Sequence, residues 1–219
     1  MKKIHIKKIL ASSLISLFFI QIFYFAVEPT IADAVAATAG DVVVTLNVTS
    51  GITISGGGAT TLTPNISMTN DKALGQSSWT VTTNNVTGYD LTVVASTAPA
   101  LASVAASDSF PDYTEAVAGT PELWVNPTSG NKKFGFTAYG TDADSLTKYG
   151  SPANCGTSAA PLGKYEGFSL ATPITIASKA TVTPSGGVVT NICFAAQQNG
   201  VYAKSGAYTA TISATATTK

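Results

Sequence analysis

Very few residues of this chain have types and spacings that suit catalysis. The only histidine is His5, in the N-terminal stretch MKKIHIKK. With no histidine after it, the Ser-His-Asp and Cys-His arrangements and histidine-ligated zinc are excluded, and so is the usual general base near neutral pH. The sequence therefore predicts a protein that is not an enzyme and that needs no cofactor.

The remaining candidates for chemistry are carboxylates in turn-rich stretches. Asp142 and Asp144 alternate like the first half of a calcium loop. The glycine and the bidentate glutamate that complete such a loop are missing, so a solvated turn is the default interpretation and calcium the alternative. A carboxylate pair can also hydrolyse a glycoside, but nothing fixes a separation among the acidic residues of one irregular region: Asp108, Asp112, Glu115 and Glu122.

Two cysteines, Cys155 and Cys193, are the whole complement of the chain. An even number in an exported chain predicts a disulfide, and two free buried thiols are the alternative. Because side chains alternate along a strand, Cys193 is expected on the face opposite Ile192 and Phe194. The bond would then hold the loop that contains Cys155 against the outside of a sheet.

Four aromatic residues at or near loops are candidates for contact with a ligand or partner. Exposed aromatic rings stack on sugars and anchor protein partners, whereas rings beneath long loops more often serve as hydrophobic packing. Both interpretations apply to Trp124, Tyr139, Tyr149 and Tyr165.

The N-terminus has the basic, apolar and small-residue order of a secretory signal peptide. An apolar run, Ile9–Val27, follows four lysines, and the small-residue stretch IADAVAATAG comes after it. We expect residues 1–36 to be the signal, with cleavage near Ala34 or Ala36. The run would be roughly 28 Å long as a helix, so an uncleaved anchor is the alternative. In either case the protein is expected to be extracellular or at the cell surface.

The charges after the N-terminal segment exclude one class of partner. From Val35 onward the chain has eight Lys, no Arg and ten Asp or Glu, a net charge of −2. Nucleic-acid binding requires clustered cations, and arginine makes the bidentate contacts to phosphate and guanine. The expected partners are therefore proteins or surface glycans, with a membrane contacted only through the N-terminal segment.

Most of the remaining chain alternates with the period of two that is typical of strands. Asp41–Val48 places Val42, Val44, Leu46 and Val48 on one face. The stretch SSWTVTTNNVTGYDLTV, residues 77–93, predicts a hairpin in which Asn84–Gly88 is the turn. Its shared apolar face would comprise Trp79, Val81, Tyr89, Leu91 and Val93, and further strands are predicted around residues 133–139, 174–176, 188–195 and 207–217.

These strands predict an all-β fold, an antiparallel Ig-like or fimbrial-like β-sandwich that forms one domain over residues 37–219. Two long irregular loops, Ser96–Asn131 and Gly140–Leu170, interrupt it. In the first loop we expect a helical turn over Ala98–Ala106 and a short strand around Leu123–Val125. Since loops carry function more often than strands do, recognition is expected in these two loops.

The order of three stretches, VVVTLNV, SSWTVTTNNVTGYDLTV and SGAYTATISATATT, resembles bacterial secreted surface sandwiches. The resemblance is to fimbrial and spore-coat-type subunits and to wall-associated WxL-type proteins. It implies a secreted, non-catalytic structural or adhesion protein, such as a subunit of a fibre or envelope layer. The alternative is a carbohydrate- or ligand-binding module that uses the loop aromatics. Asp41–Val48 and Ala207–Thr217 are the expected edge or exchanged strands.

Overall fold

The computed structural model describes residues 44–142 and 147–219, and over these ranges the chain forms β-strands and no helix. The chain divides into two units, Met1–Asn47 and Val48–Lys219. The expected signal peptide, residues 1–36, lies outside the described residues. Within them, no helix is long and apolar enough to cross a membrane.

The strands are β1 (Ile52–Gly56), β2 (Lys72–Thr83), β3 (Tyr89–Ala95), β4 (Leu101–Ser103), β5 (Asp108–Phe110), β6 (Glu122–Leu123), β7 (Asn131–Gly140), β8 (Lys164–Tyr165), β9 (Ile174–Lys179), β10 (Val188–Asn199) and β11 (Ile212–Thr218).

Two antiparallel sheets carry the core. The first, sheet A, has the order β1-β2-β10-β7, and the second, sheet B, has the order β11-β3-β9. Two short ribbons, β4–β5 and β6–β8, lie outside these sheets. One hydrophobic cluster contains inward side chains of both sheets, an arrangement consistent with a β-sandwich. The all-β, antiparallel class predicted from the sequence is confirmed.

The inward faces predicted for the strands are also confirmed. Burial of alternate apolar side chains is what fixes the register of a strand against a core. The buried residues include Phe134, Phe136 and Ala138 of β7, and Ile192 and Phe194 of β10. Of the strand predicted over residues 207–217, only the part from Ile212 onward lies in a strand, β11. The even-numbered residues of the whole segment nevertheless pack against the same cluster: Tyr208, Ala210, Ile212, Ala214 and Ala216.

The hairpin predicted over residues 77–93 is wrong. Strand β2 pairs with β1 and β10, whereas β3 pairs with β11 and β9, so the two strands belong to different sheets. Asn84–Gly88 therefore crosses from one sheet to the other. Gly88, at φ 80°, lies so close to the Lys179 backbone that a Cβ there would clash with its carbonyl oxygen.

This crossing changes how the core of the stretch is assembled. Trp79 and Val81 of sheet A face Tyr89 and Leu91 of sheet B within one core cluster, instead of sharing a face with them. Alternation with a period of two shows which side chains are buried, but it does not distinguish a neighbour in the same sheet from one in the opposite sheet.

Two smaller predictions are also corrected. Ala98–Ala106 contains strand β4 and a turn instead of a helical turn, because Leu101–Ser103 pairs with Asp108–Phe110. Residues 44–48 form no strand and are exposed, although their apolar side chains alternate. Residues 41–43 of the predicted first strand lie outside the described residues.

Strand β10 is buried on both faces from Ile192 to Gln198. Ile192, Phe194 and Ala196 point into the main core. Cys193 lies on the opposite face, as predicted, yet it is fully buried as well. The reason is an outer layer, formed by parts of the two long loops that include Trp124, Tyr165 and Cys155, which covers this face of sheet A.

The disulfide predicted from the two cysteines is present. Cys155 and Cys193 are 38 residues apart in sequence, and their Cα atoms are 5.5 Å apart. It joins the outer layer to the central strand of sheet A and holds the second long loop against the outside of that sheet, as expected.

Reduction of this disulfide should loosen the outer layer before the sandwich unfolds. Loss of a closed 38-residue ring removes about 3–4 kcal/mol in the chain-entropy model. Hydrogen exchange under mild reduction should therefore rise first in residues 147–166 and only later in β7 and β10. Simultaneous loss of protection in all three regions would contradict a separable outer layer.

Candidate functional site

Three of the four aromatic residues predicted to contact a ligand are taken up by packing. Tyr149 and Tyr165 are both 0% exposed, so neither ring offers a surface to a ligand. Trp124 packs against Tyr113 and Tyr165, with ring centroids 5.2 and 5.0 Å away, and its indole N–H donates to Gln197 Oε1 at 2.6 Å. Tyr139 is partly exposed, and its ring and hydroxyl make no ring contact or hydrogen bond with the described residues.

The carboxylates singled out in the sequence are engaged in structural contacts. Asp142 lies 3.0 Å from Lys179 Nζ and accepts a hydrogen bond from the Tyr89 hydroxyl at 3.2 Å. Asp144, the other half of the calcium pattern, lies outside the described residues. Among the described residues no three His, Cys, Asp or Glu side chains come together in a way that could hold a metal ion.

The four acidic residues of the first long loop are also bound separately. Asp112 accepts from the Ala100 amide, Glu115 from the Gly167 amide, and Glu122 from the Tyr113 hydroxyl. Asp108 pairs with Lys132. Each of the four is therefore engaged in its own structural contact.

One concave feature, which the sequence did not predict, is a groove of about 1150 Å³ over the core-facing side of sheet A. Its floor belongs to the main core and is apolar, with the rings of Trp79, Phe134 and Phe194. One wall is residues 57–68, after β1, and the other is residues 202–212, before and at the start of β11. We call this feature the seam groove.

One glutamine holds the two walls of the seam groove together. The Gln198 side chain is buried at the end of β10. Its amide nitrogen donates to the Ser67 carbonyl oxygen at 2.8 Å, and its Oε1 accepts from the Ala203 amide at 2.8 Å. A single side chain thus satisfies one backbone group of each wall and sets their separation at this end.

A carboxylate fixes the second wall from outside. Asp108 accepts from the Lys204 amide at 2.9 Å and from the Tyr208 hydroxyl at 2.6 Å, and it is ion-paired with Lys132. Desolvation by itself raises the pKa of the Asp108 carboxyl, but these hydrogen bonds lower it more, so the pKa lies well below its usual range.

Strands β1 and β11 lie next to each other, and we call the boundary between them the seam. Both strands leave backbone groups unpaired there. The Thr211 carbonyl accepts from the Ser96 amide, and the Lys219 amide donates to the Gly88 carbonyl. Ser96 and Gly88 flank β3, so the backbone groups of the odd-numbered residues of β11 face β3. The N–H and C=O groups of the even-numbered residues point to the other edge. Among the described residues none of these groups has a hydrogen-bond partner: Ile212, Ala214, Ala216 and Thr218.

Strand β1 has the same property on its side of the seam. Gly51 and Gly57 hydrogen bond to the β2 side, so the backbone groups of Ile52, Ile54 and Gly56 point away from it. Strands β1 and β11 are neighbours, yet no backbone hydrogen bond joins them in the described chain. At the other two edges, outward backbone groups do have partners: β7 bonds to Tyr113 and Glu166, and Ser178 of β9 bonds to Asp142.

Only part of the seam groove could be predicted from the sequence. The long alternation over residues 207–217 identified a face that packs on the core, and it also identified an expected edge strand. Gly56-Gly57-Gly58 marked the end of β1 but could not show that the following residues leave the β2 edge and form a wall.

Replacement of Gln198 by leucine should loosen the walls of the seam groove. The substitution leaves the Ser67 carbonyl and the Ala203 amide without their partner, which costs about 1–3 kcal/mol for each buried group left unpaired. The free energy of unfolding should fall and hydrogen exchange at Ala203 should accelerate. The exposed Gln76→Leu variant is the control. Equal effects of both variants would show that Gln198 does not join the walls.

Replacement of Asp108 by asparagine should change the acid dependence of stability. Because the folded pKa of Asp108 is lowered, its carboxylate stabilises the fold above its unfolded pKa of about 3.9, and this contribution is lost as the pH falls below that value. The wild-type protein should therefore be more stable than Asp108→Asn at neutral pH, and the difference should shrink on acidification. A constant difference down to about pH 2 would contradict this role.

No family model, no curated protein and no solved structure matches this chain. Its function is therefore inferred from the seam groove, the free strand edges and the side chains around them.

Proposed function

We propose that this protein is a secreted, non-catalytic structural protein of the cell surface, an Ig-like sandwich that assembles with further copies of itself by strand addition at the seam. One observation carries the proposal: the seam groove has an apolar floor and continues into a strand edge whose backbone groups lack partners. Natural proteins usually cover, bulge or charge such edges, because an open edge is a template for another strand.

The proposed occupant is the segment Asp41–Val48 of a second copy. Its described apolar side chains are far more exposed than is usual for such residues: Val44 at 87%, Leu46 at 83% and Val48 at 76%. In an extended conformation these side chains, together with Val42, lie on one face. That face would enter the groove toward Trp79 and Phe194.

Length and chemistry both suit this occupant. At about 3.3 Å per residue, eight extended residues span roughly 26 Å, and the seven residues of β11 span roughly 23 Å. Burying each valine or leucine side chain contributes about 1.5–3 kcal/mol. The outward backbone groups of β11 would receive partners, as in other cases of β-augmentation.

Strand addition of this kind joins two different surfaces, a donor segment and an acceptor seam. Such a heterologous contact produces an open chain of subunits unless its rotation happens to close a ring. A fibre or an extended layer is therefore the expected product, which agrees with the structural role implied by the resemblance to bacterial surface proteins.

The proposed location outside the cytoplasm has two supports. The N-terminal sequence has the order of a signal peptide, and the Cys155–Cys193 disulfide is typical of oxidising compartments. The alternative function, a glycan-binding module that uses the loop aromatics, has less support, because the rings of Trp124, Tyr149 and Tyr165 are engaged in packing.

Replacement of Leu46 by aspartate should abolish assembly. A carboxylate on the donor face would have to enter an apolar groove, where a charged group without a partner is strongly destabilising. Thr45→Asp is the matched control, since residue 45 lies on the opposite face of the extended segment. Negative-stain microscopy of protein recovered from the outside of expressing cells should show polymers for the wild type and for Thr45→Asp only. A monomeric wild type at high concentration would contradict the proposal.

A further inference from the structure

The outer face of sheet A is only partly covered by the outer layer. From Cys193 toward the start of β10, three consecutive rungs bring outward side chains of β2 and β10 side by side, and the middle rung adds Tyr139 of β7. The register places Gln76 beside Cys193, Ser78 and Tyr139 on either side of Asn191, and Thr80 beside Val189. Side chains of one rung share a face and lie about 5 Å apart.

Most polar groups on this surface lack a partner. Gln76 Nε2 donates to Asn191 Oδ1 at 3.2 Å. Among the described residues no hydrogen bond is made by the Tyr139 hydroxyl, the Asn191 amide nitrogen, or the hydroxyls of Ser78 and Thr80. The surface is thus a set of open donors and acceptors around one partly exposed aromatic ring.

From these observations we propose that this surface, the Tyr139 platform, binds a neutral carbohydrate. A tyrosine ring presents an apolar face to the C–H face of a sugar ring, while amides and hydroxyls bond to its hydroxyl groups. The apolar edge of the platform, with Val189 46% exposed, adds further contact for a sugar ring.

The lack of charged side chains on the platform determines which class of ligand it fits. None of its residues is a lysine, arginine, aspartate or glutamate. An anionic ligand such as a phosphorylated or uronic-acid polymer would find no cation there to replace its hydration. A neutral glycan loses no ionic hydration on binding, so it is the class that this surface fits.

The disulfide gives the platform a wall. Cys193 lies in the rung next to Asn191, and its partner Cys155 stands on the same face as part of the outer layer. The floor, in turn, is formed by the hydrogen-bonded strands β2, β10 and β7 of sheet A. A site whose floor and wall are both fixed loses little conformational freedom when a ligand binds.

The platform is independent of strand addition at the seam. Its side chains point away from the core, whereas the floor of the seam groove is on the inward face of the same sheet, at Phe194 and Trp79. Sugar binding can therefore fail while assembly succeeds, or the reverse.

Titration with neutral oligosaccharides tests the proposal. Protein labelled with nitrogen-15 would be mixed with short oligomers of glucose and of N-acetylglucosamine, with an oligogalacturonate as the anionic comparison. At least one neutral oligomer should shift the side-chain amide signals of Gln76 and Asn191 at millimolar concentration. Tyr139→Ala should weaken this binding by about tenfold or more, as loss of a central aromatic contact does elsewhere.

Two variants and the anionic oligomer decide the outcome. Tyr202→Ala is the control, because Tyr202 is 61% exposed but lines the seam groove; its binding should equal that of the wild type. Tyr139→Phe should retain most of the affinity, since the ring is kept. The proposal is overturned if no neutral oligomer shifts the amide signals, if only the oligogalacturonate does, or if Tyr202→Ala weakens binding as much as Tyr139→Ala.

Discussion

Strand β10 is buried on both faces from Ile192 to Gln198, and the rest of the structure depends on this constraint. Its inward side chains Phe194 and Ala196 help form the floor of the seam groove, while Cys193 on its other face is bonded to the outer layer. At its end, Gln198 joins the two walls of the groove. One central strand therefore positions the core, the covering layer and the site at which strand addition is proposed.

The covering layer also explains why the loop aromatics serve packing. A sheet face that carries Leu74 and Ala195 has to be shielded from water, and Tyr165 and Trp124 provide the apolar area for it. The same layer ends before the rung of Asn191, so Tyr139 remains partly exposed.

Local alternation predicted much of this fold, because one face of each strand must be buried. It identified the inward residues of β7, β10 and β11 and the separate face of Cys193. It could not predict that β2 and β3 lie in opposite sheets, since a hairpin and a crossing leave the same alternation in the sequence. Nor could it predict the outer layer, because the loops that form it carry no regular period.

The seam shows the same limit for the site. The alternation of Asp41–Val48 suggested an ordinary first strand, but residues 44–48 are exposed and unpaired with any strand in the described chain. Whether an alternating segment completes its own sheet or another copy's depends on which edges the rest of the fold leaves open. In this fold the open edges are β1 and β11, and β11 begins at one wall of an apolar groove.

Hydrogen exchange at individual amides of β11 tests this account most directly. In the isolated protein, the amides of Ile212, Ala214 and Ala216 should exchange quickly, while those of Ser213, Thr215 and Thr217, which face β3, should exchange slowly. In the assembled protein the even-numbered amides should become protected too. Assemblies in which these amides still exchange quickly would contradict strand addition at the seam.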